Sequence, residues 1–444
     1  MLAVCLAVAW ALLQGALMLL FAWENARFLS RRLSRVEPLA TYPPVRLIIP
    51  CRGVDPEMHA NLRALVALDY PDLELCFVVE SLADPAVRTI DEARASCPHR
   101  VRLVEAGLAG ACGQKVHNLM CATRLPREDR EILAFVDSDA RPHAGWLRAL
   151  VGRLASGKAA VVTGYRWYDP SRGDVPSRCL SALNNTVLGV MGTHHSNLVW
   201  GGSWATRCET FEQLGLPEAW QGSLSDDLIV SRLVREAGLK IAFEPHALVA
   251  SPAQFNWAGT FEFARRQFLV VRNYVPRFWW FACVAGGLSV ATFWGLALCA
   301  ALPPAGVPRW LPLAGCLGMY ALGVLRWGVA LAAVAPYFPR QATRFQQVAH
   351  WNSWGWPLVA LATWLLVASA AVGKQITWRG ITYSMDGPNA TRVLARPPAG
   401  AAGFSPQANE TAPVAPQAVT GQVASGPSAP FPTSGSAGSN RRAA

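Results

Sequence analysis

Leu133-Ala134-Phe135-Val136-Asp137-Ser138-Asp139 decides the reading of this chain. A short, apolar, β-prone run ends in two carboxylates separated by one residue. In α/β proteins ligands bind just beyond the carboxyl ends of the strands. An Asp-x-Asp at that place can hold a divalent cation against a diphosphate, because hard cations prefer oxygen ligands and often keep phosphate in their shell. Taken alone the run is equally a strand leading into an ordinary Asp-rich turn. Its meaning depends on what surrounds it.

Around it the sequence alternates. Strand-like runs at Val45–Ile49, Leu73–Val79, Val101–Val104, Ile132–Val136 and Ala160–Thr163 are separated by helical patterns at Met58–Leu68, Pro85–Ala95, Lys115–Thr123 and Gly145–Leu154. This alternation predicts an α/β domain over residues 45–254, with a mostly parallel sheet and helices on its faces. No internal repeat is visible.

The flanks are of another kind. The 444 residues are 52% hydrophobic and only 16% charged, too apolar for an ordinary soluble protein. Met1 to Trp23 is almost uninterrupted apolar sequence, followed by Arg27, Arg31, Arg32 and Arg35. Positive charge after the apolar run, not before it, argues for an anchor over 1–25 rather than a cleaved leader. Residues 255–278 mix aromatic side chains with Arg265, Arg266, Arg272 and Arg277, the composition of an interfacial amphipathic helix. Three apolar stretches then follow within 279–373, each near spanning length. Arg326 lies inside one of them, where snorkelling or an interhelical hydrogen bond competes with a role at a lipid headgroup. Arg340 and Arg344 follow the second stretch. The expectation is a multi-pass protein of a bacterial inner or cell membrane. Its N-terminus lies outside, residues 45–280 are cytoplasmic, and the tail emerges outside. Residues 387–444 are rich in Pro, Ala, Gly and Ser and are expected to be disordered.

The net charge of +11 sits largely on Arg beside apolar sequence, which fits anionic lipid better than a nucleic-acid groove. Eleven Cys are scattered without a CxxC pair, which disfavours a zinc site or a disulfide framework.

Further polar residues stand at plausible intervals from Asp137 and Asp139. Glu80 closes Phe77-Val78-Val79-Glu80, where a carboxylate can accept hydrogen bonds from a base or ribose, or be a plain loop residue. Lys115 opens a helix, a position mildly unfavourable for a cation unless a negative ligand is near. Asp226-Asp227 precedes the apolar helix Leu228–Ala237. Ser225 or Asp226 can serve as its cap, while one of the acids can serve as a general base. Gly201-Gly202 allows close backbone approach or marks a bulge. His194-His195 suits phosphate or metal, though a structural role is the commoner fate of such a pair.

The ordered set resembles the inverting family 2 glycosyltransferases of GT-A fold and, more narrowly, the ceramide glucosyltransferase group. The resemblance is carried by Cys51-Arg52-Gly53-Val54-Asp55-Pro56, Asn61-Leu62, Leu68-Asp69-Tyr70-Pro71, Asp84-Pro85-Ala86, Lys115-Val116-His117-Asn118-Leu119-Met120 and Gly192-Thr193-His194-His195. It covers roughly residues 45 to 280 and the arrangement of apolar segments. It implies a nucleotide-sugar-binding domain in which Glu80 lies near the uracil and Lys115 contacts the donor. Asp137 and Asp139 would carry nucleotide and metal (Mg or Mn), with Asp139 the direct ligand. Asp227 would be the general base, and Asp226, His195 and Gly202 would lie near donor or acceptor. The group's Gln/Arg-x-x-Arg-Trp motif is not intact: Leu269-Val270 falls where Arg-Trp is expected. Arg266, Gln267 and Arg272 are the candidates to hold the diphosphate in its place.

The resemblance thus implies a membrane-bound enzyme moving a hexose, glucose from UDP-glucose, to the hydroxyl of a ceramide-like lipid with inversion. Two other readings stand beside it. One is a transferase acting on a hopanoid, a polyprenyl phosphate or a polysaccharide. The other is a non-enzymatic membrane scaffold with a degenerate transferase domain.

Overall fold

A computed structural model describes residues 1–35, 39–170, 173–192 and 197–397. The chain opens with a long helix, α1 (Leu2–Leu33), and then alternates. The next elements are β1 (Val45–Pro50), α2 (Met58–Val66), β2 (Leu73–Val79), α3 (Ala86–Arg94), β3 (Arg100–Glu105), α4 (Gln114–Thr123) and β4 (Ile132–Val136). They are followed by α5 (Trp146–Ala155), β5 (Val161–Asp169), α6 (Val175–Leu188), β6 (Ser203–Arg207), α7 (Cys208–Gln213), α8 (Leu216–Ala219), α9 (Asp226–Glu236) and β7 (Ile241–Pro252). The seven strands form one sheet in the order β3-β2-β1-β4-β6-β5-β7, parallel except for β6, which pairs antiparallel with both neighbours. This is the mostly parallel α/β sheet expected of a GT-A domain.

Every residue of β2 and β4 is buried, as in strands covered on both faces. Two apolar layers do the covering. Helices α2, α3 and α5 pack on one face around Leu62, Ile90, Trp146 and Leu150, while α4 and α9 pack on the other around Leu119, Ile229 and Val234. Where β1 and β2 run side by side, Glu74 is fully buried and sits between Arg46 (2.7 Å) and Arg102 (2.8 Å). β1, β2 and β4 run in the same direction and end at the same edge of the sheet, which brings Arg52, Glu80 and Asp137 together.

The apolar flanks form their own layer. Helices α10 (Trp257–Tyr274), α11 (Pro276–Ala301), α12 (Trp310–Val334), α13 (Ala342–Trp354) and α14 (Trp356–Ser369) follow the sheet. Among the described residues, α1, α11 and the helix beginning at Trp310 are long and apolar enough to cross a membrane. α1 runs alongside α12 in the same direction, with Val8 against Gly315 and Leu12 against Gly318.

The third trailing apolar stretch forms a shorter helix than the two before it. α14 has 14 residues, about 21 Å of helix, against about 30 Å of hydrocarbon. Its start lies beside the middle of α12, where Trp356 donates to the Tyr320 carbonyl (3.1 Å). Its end lies beside the start of α11, where Trp279 donates to the Val367 carbonyl (3.1 Å). α13 and α14 thus form a bent hairpin around Gly355. Both outer ends return to the α/β domain: Arg344 makes a fork to Asp169 (2.6 and 2.7 Å), and after α14 the chain rejoins the sheet's ligand edge.

A departure lies in the supposed tail. Residues 375–395 form an antiparallel meander, β8 (Gln375–Trp378), β9 (Ile381–Met385) and β10 (Thr391–Ala395). It packs on the α/β domain through Tyr383, Arg379 and Arg396. The Pro- and Ala-rich sequence therefore begins later than residue 387, and residues 398–444 lie outside those described.

Candidate active site

The end of β4 is held rigidly. Phe135 stacks on Trp204 of β6 with ring centroids 4.0 Å apart and nearly parallel. Two residues on, Asp137 and Asp139 share one cation: Arg166 of β5 places Nη2 at 3.0 Å from Asp137 Oδ2 and 3.0 Å from Asp139 Oδ1, and Nη1 at 3.2 Å from Asp139 Oδ2. The guanidinium also lies 4.7 Å from the Trp200 ring centroid. Burial would raise the Asp139 carboxyl, but Arg166 and Arg379 outweigh it and hold it below the usual range.

Lys115, at the start of α4, reaches across to Asp137 Oδ1 (2.8 Å), Asp226 Oδ1 (3.2 Å) and the Gly201 carbonyl (3.3 Å). Burial works against its charge, but Asp137, Asp226 and Asp227 more than offset that and hold the ammonium well above its ordinary value. The unfavourable place of a cation at a helix start is thus balanced by carboxylates from two other elements.

The two acids of the pair have different surroundings. Asp226 is 2% exposed, and its Oδ2 has no hydrogen-bond partner. Burial pushes its pKa up to about 7, against the pull of Lys115 and with Asp227 and Asp137 adding to the rise. Asp227 is half-buried and accepts from Gly201 N (2.8 Å), Ser225 Oγ (2.5 Å) and Leu228 N (2.8 Å). Ser225 caps α9, as its place before the acidic pair suggested. Of the two, Asp227 is the one a substrate can reach.

Gly201 and Gly202 have no room for a side chain. A Cβ on Gly201 would lie 2.7 Å from Asp226 Oδ2 and 2.8 Å from Lys115 Nζ; one on Gly202 would lie 2.6 Å from Asp137 Oδ2 and 2.2 Å from the Trp200 ring. These glycines bring backbone against the acidic cluster. Glu80 stands at the same edge but is engaged, accepting from Arg52 Nε (3.0 Å) and Arg396 Nη1 (3.0 Å). His195 lies outside the described residues.

An open cleft lies here, with about 570 Å³ of space that includes solvent at its mouth. Its floor is Pro50, Cys51, Arg52, Lys115, Asp137 and Asp139, and its far wall is Trp378, Arg379, Ile381 and Tyr383 of the meander.

The candidates for the broken motif separate. Arg266 is near the cavity: it packs 5.7 Å from the Trp378 ring centroid and donates to the Thr377 carbonyl (3.2 Å). Gln267 is exposed. Arg272 is turned away, donating to the carbonyls of Ala370 and Gly373 at the end of α14. The reason is helical geometry. Two successive three-residue steps displace a side chain by about 120° around the axis, so Arg266 and Arg272 cannot share a face.

Three contributors were missed from the sequence: Arg166, Arg379 and Arg396. Arg166 carried a signal, a lone cation in the buried run Val161–Asp169, where burial requires a partner. The other two lie beyond the last apolar stretch, in sequence with no pattern pointing back to the site.

The carboxylates suit a hard divalent cation, since Asp137 and Asp139 already converge on one positive group. Among the described residues, no cluster of three or more Asp, Glu, His or Cys offers a complete protein-made site. The chain supplies two carboxylates, the complement typical of ions whose shell is completed by substrate phosphate and water.

The acidic cluster adjoins the apolar layer directly. Leu224 N, immediately before Ser225 and the acid pair, donates to the hydroxyl of Tyr274 (2.6 Å), the last residue of α10. Val275 alone separates Tyr274 from α11.

Among solved structures, a mannosyltransferase from Pyrobaculum calidifontis in complex with GDP-mannose and Mn2+ is 18% identical, aligning over 83% of this chain and 97% of its own, with a TM-score of 0.45. Glucosyl-3-phosphoglycerate synthase from Mycobacterium tuberculosis is 17% identical over 52% of this chain and 80% of its own, with a TM-score of 0.33. Likenesses this distant assign no ligand here. A family model gives more: glycosyl transferase family 21 matches residues 3–390, spanning the leading helix, the sheet, the apolar helices and the first two strands of the meander. The numbered family expected from the sequence was 2; this chain belongs to glycosyl transferase family 21.

Proposed function

We propose that this glycosyltransferase moves a hexose, glucose from UDP-glucose, to the hydroxyl of a ceramide-like lipid with inversion, at the cytoplasmic surface of a bacterial membrane. The observation that carries the lipid reading is the Leu224–Tyr274 hydrogen bond. It ties the segment bearing the acid pair to the helix that leads into the membrane layer. A hydroxyl at headgroup depth is then within reach of the site without leaving the bilayer.

In this reading the nucleotide occupies the cavity at the ends of β1, β2 and β4. Glu80 takes the base or ribose once Arg52 and Arg396 yield it. Asp139, with Asp137, would hold a divalent ion, Mg or Mn, beside the donor. The ion, when bound, supplies Lewis-acid stabilisation of the departing group. Lys115 positions Asp137 and, through Asp226, the start of α9. Asp227, accessible and fixed by three hydrogen bonds, accepts the proton of the attacking hydroxyl. Attack on the face opposite the leaving diphosphate inverts the anomeric carbon. His195 and Gly202 are assigned to the vicinity of the transferred sugar.

The test is direct. Purified protein in detergent is given UDP-glucose, UDP-galactose or GDP-mannose with ceramide, a hopanoid or a polyprenyl phosphate, and the lipid products are separated. A glucosylated ceramide supports the reading. Glucosylation of another lipid alone, or hydrolysis of no nucleotide sugar, refutes it.

A further inference from the structure

The β8–β9 connection is a two-residue hairpin: Trp378 pairs with Ile381, leaving Arg379 and Gly380 at the turn. Both have positive φ, 48° and 75°. Such turns favour Asn-Gly or Gly-Gly, because an L side chain is strained in the left-handed region. A long side chain at the first position persists only where its surroundings hold it there. Here the surroundings are the cavity. Arg379 donates to Asp55 Oδ2 (2.7 Å) and to the Arg52 carbonyl (2.8 Å), and Arg52 returns a hydrogen bond to the Arg379 carbonyl.

A diphosphate shielded from water needs cationic partners. The cations lining the cavity among the described residues are Arg52, Lys115 and Arg379. Lys115 is held between Asp137 and Asp226. Arg52 is on the Glu80 side of the cavity, where it pairs with that carboxylate. Arg379 adjoins Arg52 through its backbone carbonyl and lines the same cavity as Asp137 and Asp139. Among the described residues its ion-pair partner is Asp55, a carboxylate whose place a phosphate can take, for which the planar fork is well suited.

We propose that Arg379 is the guanidinium that grips the donor's diphosphate, so that the β8–β10 meander is a wall of the nucleotide site and not a trailing segment. This rests on the donor lying in the cavity, as proposed above. The meander is anchored to serve as such a wall. Tyr383 accepts from Gln114 N (3.2 Å), Thr391 N donates to the Gly222 carbonyl (2.9 Å), and Arg266 braces Trp378 from behind.

The test uses the full chain in detergent with Mn2+, with binding of UDP and of uridine measured by calorimetry for wild type, Arg379→Gly and Arg379→Lys. Arg379→Gly removes the guanidinium and relieves the turn but leaves Asp55 without that partner, so melting is recorded to confirm that the variant folds. Its UDP affinity is expected to fall about tenfold or more while uridine binding is unchanged, with Arg379→Lys intermediate. Wild-type UDP affinity in Arg379→Gly overturns the proposal and leaves the donor reading intact. Equal losses for UDP and uridine overturn it too, since they mark a structural role. A wild-type protein that binds no nucleoside diphosphate overturns both.

Discussion

Replacing Asp227 by Asn separates chemistry from architecture at the acid pair. Asp227 accepts three hydrogen bonds, from Gly201 N, Ser225 Oγ and Leu228 N. An amide keeps one acceptor oxygen, so either the Gly201 or the Leu228 N–H must face an NH2 group and go unpaired. That costs about 1–3 kcal/mol of stability. Loss of a general base costs about 10²–10⁴ in rate, or roughly 2.7–5.4 kcal/mol in the barrier. The two effects are told apart by Ser225→Ala, which removes one of the same hydrogen bonds and the helix cap at a cost of about 1 kcal/mol but leaves the carboxylate. The assay is lipid transfer at saturating donor, with donor binding by calorimetry and thermal melting of each variant. Asp227→Asn is expected to lose transfer by the full factor, bind donor within a few-fold of wild type, and melt lower. Ser225→Ala is expected to melt lower and retain most of its transfer. If donor binding collapses in Asp227→Asn, the residue is a donor ligand. If Ser225→Ala loses as much rate as Asp227→Asn, the carboxylate acts only by holding the Gly201 loop. Either result refutes the base assignment.

Asp139→Asn is expected to abolish Mg- or Mn-dependent transfer with little change in melting temperature, because the side chain meets a cation at the cavity and packs little; turnover near wild type with unchanged metal dependence would refute this. Glu74→Gln leaves Arg46 buried without its counter-charge and is expected to destabilise the domain by about 3–5 kcal/mol, read by thermal or denaturant unfolding; a shift under 1 kcal/mol would show the pair to be idle. Burial alone would raise the Glu74 pKa, but Arg46 and Arg102 hold it below the usual value. Its contribution is therefore complete above the unfolded pKa of about 4.3 and is lost as pH falls through the lower folded value, so the wild-type melting temperature should drop more steeply with acid than that of Glu74→Gln. Reporters fused at residue 397 and within residues 45–254 should report the same side of the membrane, with the N-terminus on the opposite side; a C-terminal reporter on the N-terminal side would make α14 a full crossing.

The sheet was legible because its signal is local. Val45–Pro50, Leu73–Val79 and Ile132–Val136 are apolar runs of strand length, and their ends carry Glu80 and Asp137 wherever the rest of the chain goes. The acid pair was legible for the same reason, since Ser225 and the apolar helix behind it mark a helix start. Reach was not legible. Lys115 meets Asp226 over more than a hundred residues of sequence, and nothing in either segment states it. Nearness in sequence also misled at α10, where Arg266 and Arg272 were grouped as candidates although six residues of helix turn a side chain by about 120°. Hydropathy marked the third trailing stretch as apolar but not its length as a helix, because the break at Gly355 that limits α14 to 14 residues leaves the composition unchanged. The meander was missed because the Pro- and Ala-rich sequence after it drew its last strand, Thr391–Ala395, into the supposed tail.

The wall formed by the meander also sets a schedule. Arg52 and Arg379 touch across 327 residues of sequence, with every membrane helix but the first made in between. A chain emerging from the ribosome folds its sheet early, while it still lacks residues 378–383 and hence one side of the cavity. The pocket closes only after the trailing helices have been inserted and the chain has come back to the domain it left. A nascent or prematurely terminated copy that lacks residues 378–383 thus presents an open edge in place of a pocket.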